Sequence, residues 1–118
     1  MNSYLFVCRA GKNKSPTAVR AANSVAEKYG LELKAESTGT RLIEQDSQAK
    51  EKLGDYNKIF VMEPYIQRFL EIKYDIPNEK IICLGIEDIF GRNDILLFTF
   101  LKKLIERHLL NGKYRSHD

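Results

Sequence analysis

Cys8 closes a short apolar run, YLFVC, and a basic loop with one glycine, RAGKNK, leads from it to Ser15-Pro16 and a stretch with helical spacing. A strand that ends and feeds a tight loop into a helix N-terminus aims several backbone N–H groups at one point. The helix dipole adds partial positive charge, so such a loop attracts anions. Arg9, Lys12 and Lys14 add full positive charges to it. The same field favours the thiolate of Cys8, the form that attacks. A thiolate at the base of a phosphate-shaped cradle suits nucleophilic attack on phosphorus, giving a cysteinyl-phosphate that water then cleaves. The nucleotide-binding grammar G-x4-G-K-[ST] competes for this stretch, but AGKNKS lacks its first glycine and the hydroxyl directly after Gly-Lys.

The elements that must position this loop can be read from periodicity. Residues 4–8 form a continuous run of β-formers, as a buried parallel strand should. Residues 16–29 carry Ala18, Ala22, Val25 and Tyr29 on one helical stripe, with Ser15 suited to the N-cap, Pro16 to the first helical position and Gly30 to the position after the end. A half-buried or edge strand is expected over 31–37, a short polar helix over 46–53 closed by Gly54, and a second apolar strand over 58–63. A helix over 64–74 stopped by Pro77, a strand over 80–84 and a long helix over 94–110 complete the pattern, with 113–118 as a frayed tail. Alternating strands and helices predict an α/β fold: a three-layer open sheet of four parallel strands with helices on both faces. In such sheets ligands bind beyond the carboxyl ends of the strands, where the Cys8 loop lies.

Composition narrows the function classes. The 118 residues suit a single domain, 1–118, and 43% hydrophobic with 30% charged residues is the balance of an ordinary soluble protein. A net charge of +3, with 19 basic residues mixed among 16 acidic ones, hints at anionic ligands but is no nucleic-acid footprint. The two cysteines, Cys8 and Cys83, make no disulfide framework and no zinc spacing, so neither a metal nor another cofactor is expected. The apolar stretch 95–110 carries Lys102, Lys103, Glu106 and Arg107, which excludes a membrane span, and MNSYLFVC lacks the basic start of a signal peptide. A cytoplasmic address is the expectation, and the oligomeric state is left open.

From Cys8 to Ala18 the chain resembles the C-x5-R-[ST]-P-x-A signature of low-molecular-weight protein tyrosine phosphatases, and its Ser15-Pro16-Thr17-Ala18 is closest to their short bacterial branch. ESTGT at 36–40, IFVME at 59–63 and GIEDIFG at 85–91 are similar, in order, to the family's S-A-G-T segment, third strand and acid loop. The resemblance implies a phosphatase acting on a phosphorylated protein or a small aryl phosphate, with inorganic phosphate as product. It makes Cys8 the nucleophile, Ser15 a hydrogen-bond donor to the thiolate, and Asp88 the general acid and then base. Arg9, Ala10, Gly11, Lys12, Asn13 and Lys14 would form the phosphate-binding loop, Phe90 an aromatic wall for the substrate, and Ser37 part of the network steadying the loop. The chain departs from the pattern at Lys14, where the family has arginine, at Gly11, where it has asparagine, and at Ile89, where proline is usual. Arginine grips two phosphate oxygens with a rigid fork and lysine offers a mobile point charge, so the departures imply weakened catalysis.

Plainer roles stand beside these. Cys83 within KIICL reads as a small buried hydrophobe, Asp94 as a helix-start acid, and His108 as packed near a helix end. Phe98 and Phe100 read as core or contact residues, and Lys102, Lys103, Arg107 and Lys113 as a solvated face. Two other functions compete with the phosphatase: a binding module that kept the anion cradle and lost turnover, and an arsenate reductase. The last needs a relay of further cysteines near the end of the third strand, where this chain has Glu63, and is disfavoured.

Overall fold

Four strands are interspersed with five α-helices in a computed structural model that describes residues 2–9, 14–86 and 95–110. They are β1 (Asn2–Cys8), α1 (Lys14–Tyr29), β2 (Leu33–Gly39), α2 (Thr40–Gln45), α3 (Ala49–Gly54), β3 (Lys58–Val61), α4 (Pro64–Tyr74), β4 (Ile81–Cys83) and α5 (Ile95–Leu110), with a 3-10 turn at Asn78–Lys80 before β4. All strands are parallel, in the order β2-β1-β3-β4. The α/β architecture read from the sequence is the one observed.

β1 is the strand on which the sheet is built, because it pairs on both sides: Tyr4 opposes Ala35 of β2 and Lys58 of β3. Its alternate side chains enter two cores. Phe6 and Cys8 pack with Ala18, Ala21 and Ala22 of α1 and Leu97, Leu101 and Ile105 of α5. Leu5 and Val7 pack with Ile43, Leu53, Ile66 and Leu70 on the α2, α3 and α4 side. Burial on both faces explains why this strand reads as an unbroken apolar run. The chain steps from β1 to β2 in one direction and then back past β1 to β3 and β4. Right-handed crossovers in opposite directions put their helices on opposite faces, which produces the three layers.

The small residues on α1 let it lie close to the sheet, and its end is a complete Schellman cap. The N–H of Leu31 donates to the carbonyl of Ala26 (2.8 Å), and the N–H of Gly30 to that of Glu27 (3.5 Å). Gly30 has φ of 64°, the left-handed conformation that glycine adopts without strain. At the other end the helix begins at Lys14, so Ser15 and Pro16 lie inside its first turn rather than at the cap and first position. Proline is tolerated there because first-turn N–H groups have no intrahelical partner.

Other boundaries also move. β2 runs two residues later than the pattern suggested, α2 has no counterpart in it, and Gly54 belongs to α3. β3 and β4 are shorter than their apolar runs, yet the ladder continues beyond them. Met62 N–H donates to Val7 (3.1 Å), Leu84 N–H to Val61 (2.8 Å) and Ile86 N–H to Met62 (2.8 Å). His108 rests edge-on against Phe60 with ring centres 6.0 Å apart. The expected tail, 113–118, and Asp94 lie outside the described residues.

Behind β2, the Tyr56 hydroxyl donates to Glu36 Oε1 (3.1 Å). Burial pushes the Tyr56 phenol up from 10.0 to about 12, helped by the Glu36 hydrogen bond and the charges of Glu36 and Asp55. The folded protein then keeps a proton that the unfolded chain loses near 10.0. The stability it contributes is full below that pH and is lost as pH rises toward about 12. Urea melts over this interval should decline less steeply for Tyr56→Phe than for the wild type; parallel declines would show that Tyr56 does not carry the linkage.

Candidate active site

The carboxyl ends of β1, β2, β3 and β4 meet the N-terminus of α1 on one edge of the sheet, and Cys8, Lys14 and Ser15, singled out in the sequence, lie there. Cys8 is the last residue of β1 and is 5% exposed. Its sulfur lies 3.1 Å from the Ser15 hydroxyl in the first turn of α1. Ser15 is fully buried, and its Oγ also donates to the backbone carbonyl of Thr38 on β2 (3.3 Å). A hydroxyl has one proton and two lone pairs. It can therefore accept from a Cys8 thiol while donating to Thr38, or turn its proton toward a Cys8 thiolate. That single side chain links two neighbouring strands to the helix.

The loop leaves β1 under a second restraint. Both the N–H and the Oγ1 of Thr40, the first residue of α2, donate to the carbonyl of Arg9 at 3.1 Å. The Arg9 side chain is exposed. Gly39 pairs with Cys8 across the sheet, so the turn from β2 into α2 lies directly beside the start of the loop. Ser37 is exposed one strand position before Thr38 and lines a cleft of about 430 Å³ with Leu42, Ile43 and Tyr56. From that strand, the group that reaches Ser15 is the Thr38 carbonyl.

Lys14 is the buried cation of the site, with 5% exposure. Its ammonium group lies 3.8 Å from Glu63 Oε1 and 3.5 Å from the carbonyl of Ile86. Glu63 lies one residue beyond the end of β3, after Met62, at the N-cap of α4, where its side chain makes no capping bond; it is one-third exposed. Ile86 is the last described residue before the segment that carries Asp88. Lys14 thus spans from the start of α1 across the ends of β3 and β4. The sequence pointed to Cys8, Lys14 and Ser15 and missed Glu63, whose only local signal is a carboxylate between a strand and a helix-opening proline. Ala10, Gly11, Lys12, Asn13, Asp88 and Phe90 lie outside the described residues.

Comparison with solved structures identifies the same chain path elsewhere. The YwlE arginine phosphatase, in a mutant whose active-site serine is phosphorylated, superposes with a TM-score of 0.72 at 15% identity, covering 96% of this chain and 98% of that one. A low-molecular-weight protein tyrosine phosphatase from Bacillus subtilis gives 0.71 at 18%, covering 96% and 99%. Another from T. tengcongensis gives 0.70 at 19%, covering 92% and 98%. The fold is that of the low-molecular-weight tyrosine phosphatases. No sequence profile of a known family matches the chain, and no curated protein matches it in sequence.

Among the described residues no cluster of three or more His, Cys, Asp or Glu could hold a metal ion, and no helix is long and apolar enough to cross a membrane. The shared hydroxyl gives a direct test. Ser15→Ala removes the bond to Thr38 and should lower unfolding free energy by about 1 kcal/mol in urea melts. It should also slow alkylation of Cys8 by iodoacetamide about tenfold at neutral pH, the worth of one hydrogen bond to a charged group. An unchanged alkylation rate would show that the 3.1 Å contact does not stabilise the thiolate.

Proposed function

We propose that the protein is a cysteine-dependent phosphatase that hydrolyses phosphotyrosine or a similar aryl phosphate ester through a cysteinyl-phosphate intermediate. The observation that carries this reading is the Cys8 sulfur 3.1 Å from a buried Ser15 hydroxyl, at the junction of the central strand and a 16-residue helix. A helix of that length presents a real positive terminus to an anion. The fold supports the reading, and the phosphorylated active-site serine of the YwlE mutant supports a phosphoryl-enzyme step on this scaffold.

In the proposed reaction the Cys8 thiolate attacks phosphorus as the bond to the ester oxygen breaks. Asp88, assigned from sequence, gives its proton to the leaving oxygen and the alcohol departs. The Asp88 carboxylate then takes a proton from water, whose oxygen attacks phosphorus as the sulfur–phosphorus bond breaks. Inorganic phosphate is released, and the Ser15 proton turns toward the returning thiolate. Lys14 stabilises the phosphoryl oxygens, work for which charge and position count more than covalent chemistry. Phe90 supplies the wall for the aryl ring, and Arg9 together with the backbone of residues 10–13 completes the anion loop.

One observation favours a second reading, a phosphate-binding module without turnover: the Lys14 ammonium is shared with Glu63 and the Ile86 carbonyl. Turnover assays separate the two. Wild-type protein should hydrolyse p-nitrophenyl phosphate and phosphotyrosine faster than phosphoarginine, with vanadate competing. Cys8→Ser should abolish turnover and Asp88→Asn should slow it about a hundredfold, within the usual worth of general acid catalysis. Lys14→Arg should raise kcat/KM about tenfold by adding a bidentate grip. Equal turnover by wild type and Cys8→Ser would end the phosphatase reading.

A further inference from the structure

We infer that Glu63 is a specificity-determining residue of this site: its carboxylate sets how strongly the cradle discriminates among anions by their charge. The inference rests on the reading of the Cys8 loop as an anion cradle, with Lys14 as one of its cations.

Two facts of placement lead to it. Lys14 is a buried ammonium, and it sits in the first turn of α1, where the helix dipole already presents positive charge. Both circumstances raise the cost of its charge, and a buried charge must be paired. Glu63 supplies an opposite charge at 3.8 Å, and the Ile86 carbonyl accepts a hydrogen bond at 3.5 Å. Glu63 makes no capping bond to α4, so its carboxylate is not committed to the helix it precedes.

An anion held by Lys14 must share the ammonium with that carboxylate. An oxygen that accepts a hydrogen bond from Nζ sits about 3 Å away. Given the 3.8 Å separation of Nζ and Glu63 Oε1, the anion oxygen then lies no farther than about 7 Å from the carboxylate. That is inside one Debye length at physiological salt. Repulsion between Glu63 and the ligand therefore opposes binding, and by Coulomb's law it grows in proportion to ligand charge. A dianion feels twice the penalty of a monoanion of the same shape. The effect on a phosphatase is useful, because it loosens a multiply charged product without touching the groups that attack or protonate. Binding that is equal in substrate and transition state adds nothing to kcat.

The test uses two ligands of the same tetrahedral shape that the protein cannot hydrolyse: phenylphosphonate, doubly charged at mildly alkaline pH, and benzenesulfonate, singly charged. Each is titrated calorimetrically into wild type, Glu63→Gln and Glu63→Asp. Glu63→Gln should tighten phenylphosphonate about tenfold and benzenesulfonate about threefold, the doubling in logarithm that the charge ratio requires. Glu63→Asp keeps the charge and should keep the wild-type ratio of the two affinities. Glu63→Ala gives the same comparison should the glutamine variant fold poorly. Equal shifts for both ligands, no shift, or weaker binding of both would overturn the inference, since direct repulsion must scale with ligand charge, and losing a residue that merely holds Lys14 in place would weaken binding instead of tightening it. Binding that behaves as expected in a protein without aryl-phosphate turnover would overturn the phosphatase reading alone. Failure of both ligands to bind any of the proteins would overturn the inference, and aryl-phosphate turnover of wild type against Cys8→Ser then decides the phosphatase reading on its own.

Discussion

A lysine placed at the positive end of a helix and then buried is an electrostatic debt that the surrounding fold must settle. Lys14 opens α1 and keeps only 5% of its surface in water. Neither the dipole nor the apolar cores beneath can satisfy it. Two groups that help to do so come from beyond other strands: the carboxylate of Glu63 beyond β3 and the carbonyl of Ile86 beyond β4. The side chain therefore fastens the start of α1 to the far half of the sheet, while Ser15, the next residue, fastens it to β2 through Thr38. Cys8 lies between these two ties.

The sheet order makes this arrangement possible. Because the chain goes first to one side of β1 and then to the other, the helices that follow β1 and β3 lie on opposite faces of the sheet, α1 on one and α4 on the other. A residue at the carboxyl end of β1 thus has neighbours from three other chain ends without any strand having to bend. The Ser15 contact reaches β2 and the Lys14 contacts reach past the ends of β3 and β4, which is how one short helix start can serve both sides of β1.

Much of this was legible in the sequence, and the gaps have physical causes. β1 could be read because both its faces are buried, and α4 because Pro64 and Pro77 bracket a clear stripe. α2 could not be read: only Ile43 is buried in its six residues, too few to make a period. The start of α1 was placed two residues late because Ser15 and Pro16 have the composition of a cap and first position, whereas the serine is spent on Cys8 and Thr38. The Cys8–Ser15 contact was visible because both residues flank one loop. The Lys14–Glu63 pair was not, because it joins residues far apart in sequence whose meeting depends on β1 and β3 being neighbours.

The two cysteines of the chain sit in the same sheet on opposite cores. Cys83 opposes Val61, which opposes Val7, so two strand spacings, about 10 Å, separate Cys83 from the β1 strand that ends in Cys8. Cys8 packs toward α1 and α5, and Cys83 toward the helices of the other face. Cα atoms that far apart, with side chains directed away from each other, cannot be joined by a disulfide without moving backbone. An oxidant that converts Cys8 to its sulfenic acid therefore finds no second thiol in this chain to trap the damage at a reversible stage. Recovery falls to small thiols or reductant proteins from outside, which must reach a sulfur that the fold leaves 5% exposed.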